Sequence, residues 1–130
     1  MGERIISLAE KGDIEEIGGK ARNLMDLLVA GFPVPEGWVV STIAYDNFLD
    51  RNGLRERISK ALGDLDYRDA VKVVRCAETI RSWVLEADMD PDISTRLLEE
   101  TEPYGGSGLW AVRSSAVAED LEQASFAGQQ

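Results

Sequence analysis

The C-terminal block of the chain constrains its fold most strongly, because it combines an apolar run with a cation and a loop of small residues. Residues 109–112 have the composition of a buried strand, and Arg113, Ser114 and Ser115 follow them directly. A second loop, residues 124–130, consists of small residues around a single glycine. Strand ends that present an arginine and backbone N–H groups are typical of sites for phosphate chains. The pattern therefore predicts a sheet edge that binds an anion.

A second block with similar chemistry lies near the N-terminus, where Gly18 and Gly19 precede Lys20 at the start of an apolar helix. Paired glycines let a ligand approach the backbone, and a lysine ammonium neutralises phosphate. A lysine in the first turn of a helix is otherwise slightly unfavourable, because the helix dipole is positive there. We therefore predict that Lys20 binds phosphate, the alternative being a solvated lysine. Arg22 is a weaker candidate that fits a surface position better.

The guanidinium of Arg113 can hold phosphate oxygens in a bidentate fork. The alternative is an edge-strand arginine paired with Glu119 or Asp120. Ser114 and Ser115 can donate to phosphate or cap the turn that follows them, and we expect capping for at least one of the two. Carboxylates suit Mg²⁺, but two adjacent loop acids are more often solvated or paired, so no metal ligand is predicted.

Hydrophobic periodicity predicts an α+β chain that is mostly helical with a small sheet. The predicted strands are residues 5–8, 37–41 and 109–112, and the predicted helices are residues 20–30, 42–52, 54–62, 67–86 and 91–101. Gly31 is expected to end the first helix in a left-handed conformation. Asp66 is expected to cap the longest helix, and either Ser41 or Thr42 the second one.

The longest helix is expected to present one apolar stripe and an outward polar face. The stripe comprises Ala70, Val73, Val74, Ala77, Ile80 and Val84, and the outward residues are Lys72, Arg75 and Glu78. Cys76 lies on or at the edge of the apolar side and is interpreted as structural. Trp38 and Trp110 sit in apolar runs and are interpreted as core residues in preference to adenine-stacking ones.

Three stretches of the chain together resemble the N-terminal nucleotide-binding domain that phosphoenolpyruvate synthase shares with pyruvate phosphate dikinase and rifampin phosphotransferase. Residues 17–24 read Ile-Gly-Gly-Lys-Ala-Arg-Asn-Leu, and residues 30–41 read Ala-Gly-Phe-Pro-Val-Pro-Glu-Gly-Trp-Val-Val-Ser. Residues 112–130 form the third stretch. The resemblance implies that residues 1–130 form a single partial domain, the first portion of an ATP-grasp-type fold. The expected organisation is a Gly-Gly-Lys block with a strand at residues 1–51, a helical spacer at residues 52–104, and a strand with a phosphate loop at residues 109–130.

The resemblance also implies an activity in which Mg-ATP gives a phosphoryl group to a histidine on a swivelling domain, while a barrel binds pyruvate or phosphoenolpyruvate. The positions that match the family's nucleotide contacts are Lys20, Arg113, Ser114, Gly128 and Gln129. ATP and Mg²⁺ are the implied cofactors. The second ATP-grasp lobe with its acidic metal ligands, the phosphohistidine domain and the barrel are expected beyond Gln130. The chain contains no histidine, so it cannot carry the phosphohistidine.

The net charge of −10 excludes a general electrostatic attraction to nucleic acid, whose binding depends on lysine and arginine. It also repels ATP at long range, so a nucleotide site must depend on local cations and on Mg²⁺. Neither a membrane-spanning run nor a secretory signal is recognised. The single cysteine suits a reducing cytoplasm, which is the expected location.

Two functional hypotheses follow. In the first, the chain is the ATP-binding part of a phosphoenolpyruvate synthase-like phosphotransferase and is not catalytic on its own. In the second, it is a non-catalytic interaction or regulatory module that completes or binds a partner lobe, which an exposed apolar face would favour. The final phosphate acceptor, pyruvate or a drug-like hydroxyl, stays open at this point.

Overall fold

The computed structural model describes residues 5–10, 14–105 and 108–115. Its elements are β1 (Ile5–Ser7), α1 (Ile14–Val29), β2 (Trp38–Val40), α2 (Thr42–Arg51), α3 (Leu54–Gly63), α4 (Ala70–Glu86), α5 (Pro91–Thr101) and a 3₁₀ helix (Glu102–Tyr104). The described part is mostly helical with one two-stranded sheet, which confirms the predicted α+β class. Across these residues, no helix has the length and apolar character required to cross a bilayer.

The described residues form two compact units, and the first comprises those up to Tyr45 together with those from Pro91 onward. Its sheet pairs β1 and β2 antiparallel, with Ile6 opposite Val39 and Ile5 opposite Val40. Successive strand side chains point to opposite faces of the sheet, so both faces can take part in a core. Helices pack on both faces here. One face packs on α1 through the cluster Ile6, Leu8, Ile17, Ala21, Met25 and Val39. The other face packs on α2 and α5 through Ile5, Ala44 and Ile93.

The end of α1 has the geometry that its sequence predicts. Gly31 has φ 84°, and its N–H donates to the Leu28 carbonyl at 3.1 Å. The N–H of Phe32 donates to the Leu27 carbonyl at 3.0 Å. These two bonds define a Schellman motif, which satisfies carbonyls that the last helical turn leaves free. The predicted left-handed cap at Gly31 is confirmed.

The start of α2 depends on a fully buried serine. The Ser41 hydroxyl accepts the N–H of Ala44 at 3.3 Å, so Ser41 is the cap of the two candidates. The Thr42 hydroxyl instead donates to the carbonyl of Glu15 at 3.0 Å, which ties α2 to the start of α1.

The second unit comprises residues 46–90, in which α3 packs against α4. Its exposed Arg55 donates to Asp50 at 2.6 Å and to Asp46 at 2.9 Å. These hydrogen bonds raise the pKa of Arg55 above its ordinary value. The Asn52 amide donates to the Asp88 carbonyl at 3.1 Å and accepts the Asp88 N–H at 3.1 Å. Asn52 thereby fastens the loop after α4 to the segment between α2 and α3.

The predicted cap of the longest helix was wrong by one turn. The Asp69 carboxylate, not that of Asp66, accepts the N–H groups of the first turn of α4 at 3.1 Å. Asp66 accepts the N–H of Arg68 instead, and its carbonyl accepts the N–H of Asp69. Asp66 therefore stabilises a turn, and Asp69 caps the helix that follows it. As a result α4 begins at Ala70, after the predicted start.

The predicted stripe of α4 was only partly right. Val73, Ile80 and Val84 are half-buried, but Ala70, Val74 and Ala77 are exposed, and Cys76 and Trp83 take their place on the inner side. The Cys76 sulfur lies 3.9 Å from the carbonyl oxygen of Ala61 on α3. Since α3 is the main packing partner of α4, the half-buried line of α4 follows what α3 presents and differs from the predicted stripe. The outward positions of Lys72, Arg75 and Glu78 are as predicted.

Candidate functional site

A break in α1 is the first element of the candidate site. Gly18 lies inside the helix with φ 75° and ψ 168°, a conformation available almost only to glycine. The helix therefore resumes at Gly19, and Gly18 occupies the N-cap position of the longer segment. An N-cap residue normally uses a side-chain oxygen to accept an N–H group of the first turn, and glycine has none.

Ser115 supplies the missing cap from the other end of the chain. Its hydroxyl accepts the N–H of Ala21 at 3.1 Å, across a separation of 94 residues. The same hydroxyl donates to the carbonyl of Ile17 at 2.8 Å, the last carbonyl before the break. One side chain thus satisfies backbone groups on both sides of Gly18. Capping was expected of Ser114 or Ser115, but the capped element is a distant helix and not the following turn.

The packing around Gly18 leaves no room for a side chain. A Cβ atom there would overlap the carbonyl oxygen of Ser115 and lie 2.7 Å from its hydroxyl oxygen. Gly18 is therefore required both by its backbone conformation and by this close approach. At Gly18 it is Ser115 that makes the close approach, and approach of a ligand to the glycine pair stays a prediction.

The contact between Ser115 and the break brings the two sequence blocks together. Lys20 is half-buried in the first turn after Gly18, next to the residue that Ser115 caps. Arg113 and Ser114 are exposed and directly precede Ser115. Two residues of extended chain span at most about 7 Å, which limits the distance between the Cα atoms of Arg113 and Ser115. Lys20, Arg113 and Ser114 therefore all lie within a few residues of the break in α1 or of its cap, and their binding to phosphate stays a prediction.

The remaining predicted site residues have different outcomes. Gly128 and Gln129 lie outside the described residues, as do the acidic candidates Glu119 and Asp120. Arg22 pairs with Asp26 at 3.2 Å, one turn along the surface of α1, which agrees with its interpretation as a surface residue. Within residues 5–10, 14–105 and 108–115, no cluster of three or more histidine, cysteine or carboxylate side chains is placed to hold a metal ion.

An aromatic cluster holds the segment that carries Arg113. The ring of Trp110 lies 5.6 Å from that of Tyr104 and 6.3 Å from that of Trp38, and the last two rings are 5.8 Å apart. The Tyr104 hydroxyl donates to the Glu36 carboxylate. Sequence reasoning missed this cluster because its three rings come from separate elements and share no periodicity. Trp38 is half-buried, whereas Trp110 is 46% exposed, so its interpretation as a core residue was wrong.

The predicted strand at residues 109–112 is also wrong. No strand is present among the described residues of that segment, and Leu109 and Val112 are fully exposed. A strand needs a neighbour to receive its backbone hydrogen bonds, and the sheet in the described part of the chain consists of β1 and β2. The apolar run is therefore an exposed surface that ends at Arg113.

Comparison with known proteins identifies the family. The sequence profile of the "Pyruvate phosphate dikinase, AMP/ATP-binding domain" matches residues 14–130. The phosphoenolpyruvate synthase of Neisseria meningitidis serogroup B is 41% identical over 127 residues, which cover 91% of this chain and 16% of that protein. The phosphoenolpyruvate synthase of Pseudomonas aeruginosa is 39% identical over 139 residues, which cover 100% of this chain and 18% of that protein.

A third relative, the rifampicin phosphotransferase of Bacillus subtilis, is 34% identical over 122 residues, which cover 93% of this chain and 14% of that protein. The chain thus spans less than a fifth of the length of these curated relatives. The matched residues include both the break at Gly18 and its cap, Ser115. The chain belongs to the family of the pyruvate phosphate dikinase AMP/ATP-binding domain.

Proposed function

We propose that this chain forms the first part of the ATP site of a phosphoenolpyruvate synthase-like phosphotransferase. The observation that carries the proposal is the capping of the broken helix α1 by Ser115. That contact joins Lys20 to the segment that contains Arg113 and Ser114. The family's nucleotide-binding character supports the same assignment.

Each residue has a role that follows from its chemistry. The Lys20 ammonium is a compact charge for a phosphate oxygen, and the Arg113 guanidinium can engage two oxygens at once. The hydroxyl of Ser114 is a further donor. Gly128 and Gln129, which lie outside the described residues, are the remaining members of the set that the family resemblance implies. Such a donor set fits a polyphosphate, and local cations are needed because the chain as a whole is strongly acidic.

Magnesium would neutralise phosphate charge in such a reaction, as it does in other phosphoryl transfers. The described residues bring no group of carboxylates together for it. Any protein ligands of the metal would therefore lie outside the described residues.

The proposed reaction passes a phosphoryl group from ATP to a histidine on another domain. This chain has no histidine, so that residue must come from elsewhere. The fully exposed Leu109 and Val112 offer an apolar surface next to Arg113, where a second ATP-grasp lobe would bury them. The relatives include both phosphoenolpyruvate synthases and a rifampicin phosphotransferase, so pyruvate and a drug-like hydroxyl are both candidate final acceptors.

The second candidate function is a non-catalytic module that binds or completes a partner lobe. The same exposed apolar residues favour it, since an exposed apolar surface is typical of a site that binds another protein. Concentration-dependent association without any effect of ATP would support this candidate over the first.

The proposal is tested by AMP formation from ATP and pyruvate in the complete protein. We expect Lys20→Ala and Arg113→Ala each to lower kcat/KM for ATP at least about tenfold, since both remove a charge from the phosphates. Lys60→Ala and Arg75→Ala are matched controls, because both residues are exposed cations in the second unit. Normal kinetics for the Lys20 and Arg113 variants would refute the assignment. Residues 1–130 alone should form no AMP.

A further inference from the structure

We propose that Ser115 is a positioning residue, which sets the location of Arg113 relative to Lys20 and does not itself bind the nucleotide. This inference rests on the proposed function, because it concerns the same phosphate site. The Ser115 hydroxyl already has two partners, the N–H of Ala21 and the carbonyl of Ile17. With its donor and one acceptor position used inside the protein, it serves the structure of the site.

The break in α1 and its cap depend on each other. Gly18 removes the side chain that would cap the resumed helix, and the space it leaves admits the backbone of Ser115. The Ser115 hydroxyl then bonds the third N–H of the resumed segment, the group that an N-cap side chain ordinarily accepts. Gly18 thus leaves space for Ser115, and Ser115 supplies the cap that Gly18 lacks. Lys20 lies between them in the capped turn.

The segment that carries Arg113 is held at both ends. Ser115 fixes one end of this segment, and Trp110 fixes the other by packing against Trp38 and Tyr104. Arg113 and Ser114 lie between these two anchors while remaining exposed. A short segment held at both ends has few conformations, so its exposed donors are oriented before a ligand arrives. Such preorganisation is what electrostatic stabilisation of a transferring phosphate needs.

The consequence is a coupling between Ser115 and the two cations. Loss of the hydroxyl should release one end of the segment and leave Arg113 to sample positions away from Lys20. A misplacement of about 1 Å can lower a rate about 100-fold when geometry limits the reaction. We therefore expect Ser115→Ala to lower kcat/KM for ATP by about 10- to 100-fold in the complete protein.

Ser41→Ala is the matched control for this variant. Ser41 also caps a helix of the first unit through its hydroxyl, but its partner is Ala44 at the start of α2. If Ser115 had only a structural role, the two variants would lose stability and activity in parallel. We expect both to unfold at lower urea concentration, and we expect the loss of kcat/KM for the Ser115 variant alone.

A double-mutant cycle with Arg113→Ala separates positioning from general damage. If Ser115 acts by positioning Arg113, its removal should lower kcat/KM by less than about threefold in a protein that already lacks the Arg113 guanidinium. An undiminished loss in that background would overturn the inference, as would a Ser115→Ala variant with the kinetics of Ser41→Ala. Should Ser115→Ala fail to fold, Ser115→Cys keeps a side chain of similar shape with weaker hydrogen bonds and should show the same pattern. Normal kinetics of Lys20→Ala and Arg113→Ala would instead refute the proposed function itself.

Discussion

Gly18→Ala tests the physical basis of the site, because Gly18 combines a glycine-only conformation with a close contact to Ser115. A side chain at φ 75° and ψ 168° costs about 1–3 kcal/mol in backbone strain. The new Cβ would also overlap the Ser115 carbonyl oxygen, so the Ser115 segment must move. Moving it breaks two hydrogen bonds, each worth about 0.5–1.5 kcal/mol. We expect Gly18→Ala to lower the free energy of unfolding by about 2–6 kcal/mol, measured by urea denaturation.

Gly31→Ala is the control that separates strain from contact. Gly31 also has a positive φ, 84°, but a Cβ there would meet no atom within 4 Å. Gly31→Ala should therefore lower the free energy of unfolding only by the left-handed backbone strain, about 1–2 kcal/mol. In addition, Gly18→Ala and Ser115→Ala should be less than additive when combined, because the first already breaks the bonds that the second removes. A cost for Gly18→Ala no larger than that for Gly31→Ala would contradict the reasoning.

Three further predictions concern stability and association. Asp69→Ala should destabilise the chain by about 1 kcal/mol in urea denaturation and Asp66→Ala by less, because Asp69 caps α4; equal effects would contradict this assignment. Asn52→Ala should lower the free energy of unfolding by about 1–3 kcal/mol, because Asn52 hydrogen-bonds the loop after α4. Asn47 is exposed, and Asn47→Ala should change the free energy of unfolding by less than about 0.5 kcal/mol in the same assay. Leu109→Ser should leave the urea midpoint unchanged but lower kcat/KM for ATP in the complete protein, and normal kinetics would argue against burial of this residue by a second lobe.

Features that depend on neighbouring residues were predicted well. The Schellman motif at Gly31 needs only a glycine after an apolar helix, and the cap at Ser41 needs only a serine before one. The start of α5 at Pro91 and its end at Thr101 also match the prediction, since proline favours the first helical position. Each of these helix ends depends on a few adjacent residues, so the local sequence is sufficient to predict it.

Features that depend on distant partners were predicted less well. Val74 was placed on the buried stripe of α4, but it is 56% exposed, because the stripe is set by what α3 presents to it. The run at residues 109–112 was predicted as a strand from its composition, although a strand also requires a neighbour to pair with. In both cases the local sequence is apolar enough for burial, but burial and strand pairing depend on residues elsewhere in the chain.

The candidate site contains residues that the sequence predicts and a contact that it does not. Lys20 and Arg113 were singled out from their local patterns and from the family resemblance. The contact that brings their segments together was not predicted, because it joins Ser115 to residues 94 and 98 positions earlier. The glycine pair before the predicted apolar helix was the available signal, since glycine permits close approach to the backbone. Nothing in the sequence alone says that the approaching backbone is that of Ser115.

The phosphate site is tested most directly by an NMR titration of residues 1–130 with Mg-ATP, following the backbone amides of Lys20, Ala21 and Arg113. We predict saturable shifts at all three amides, even with millimolar affinity, and none at Asn52 in the second unit. A well-dispersed spectrum in which Mg-ATP shifts none of the three amides would contradict the claim that the capped break and the Arg113 segment form part of a phosphate site.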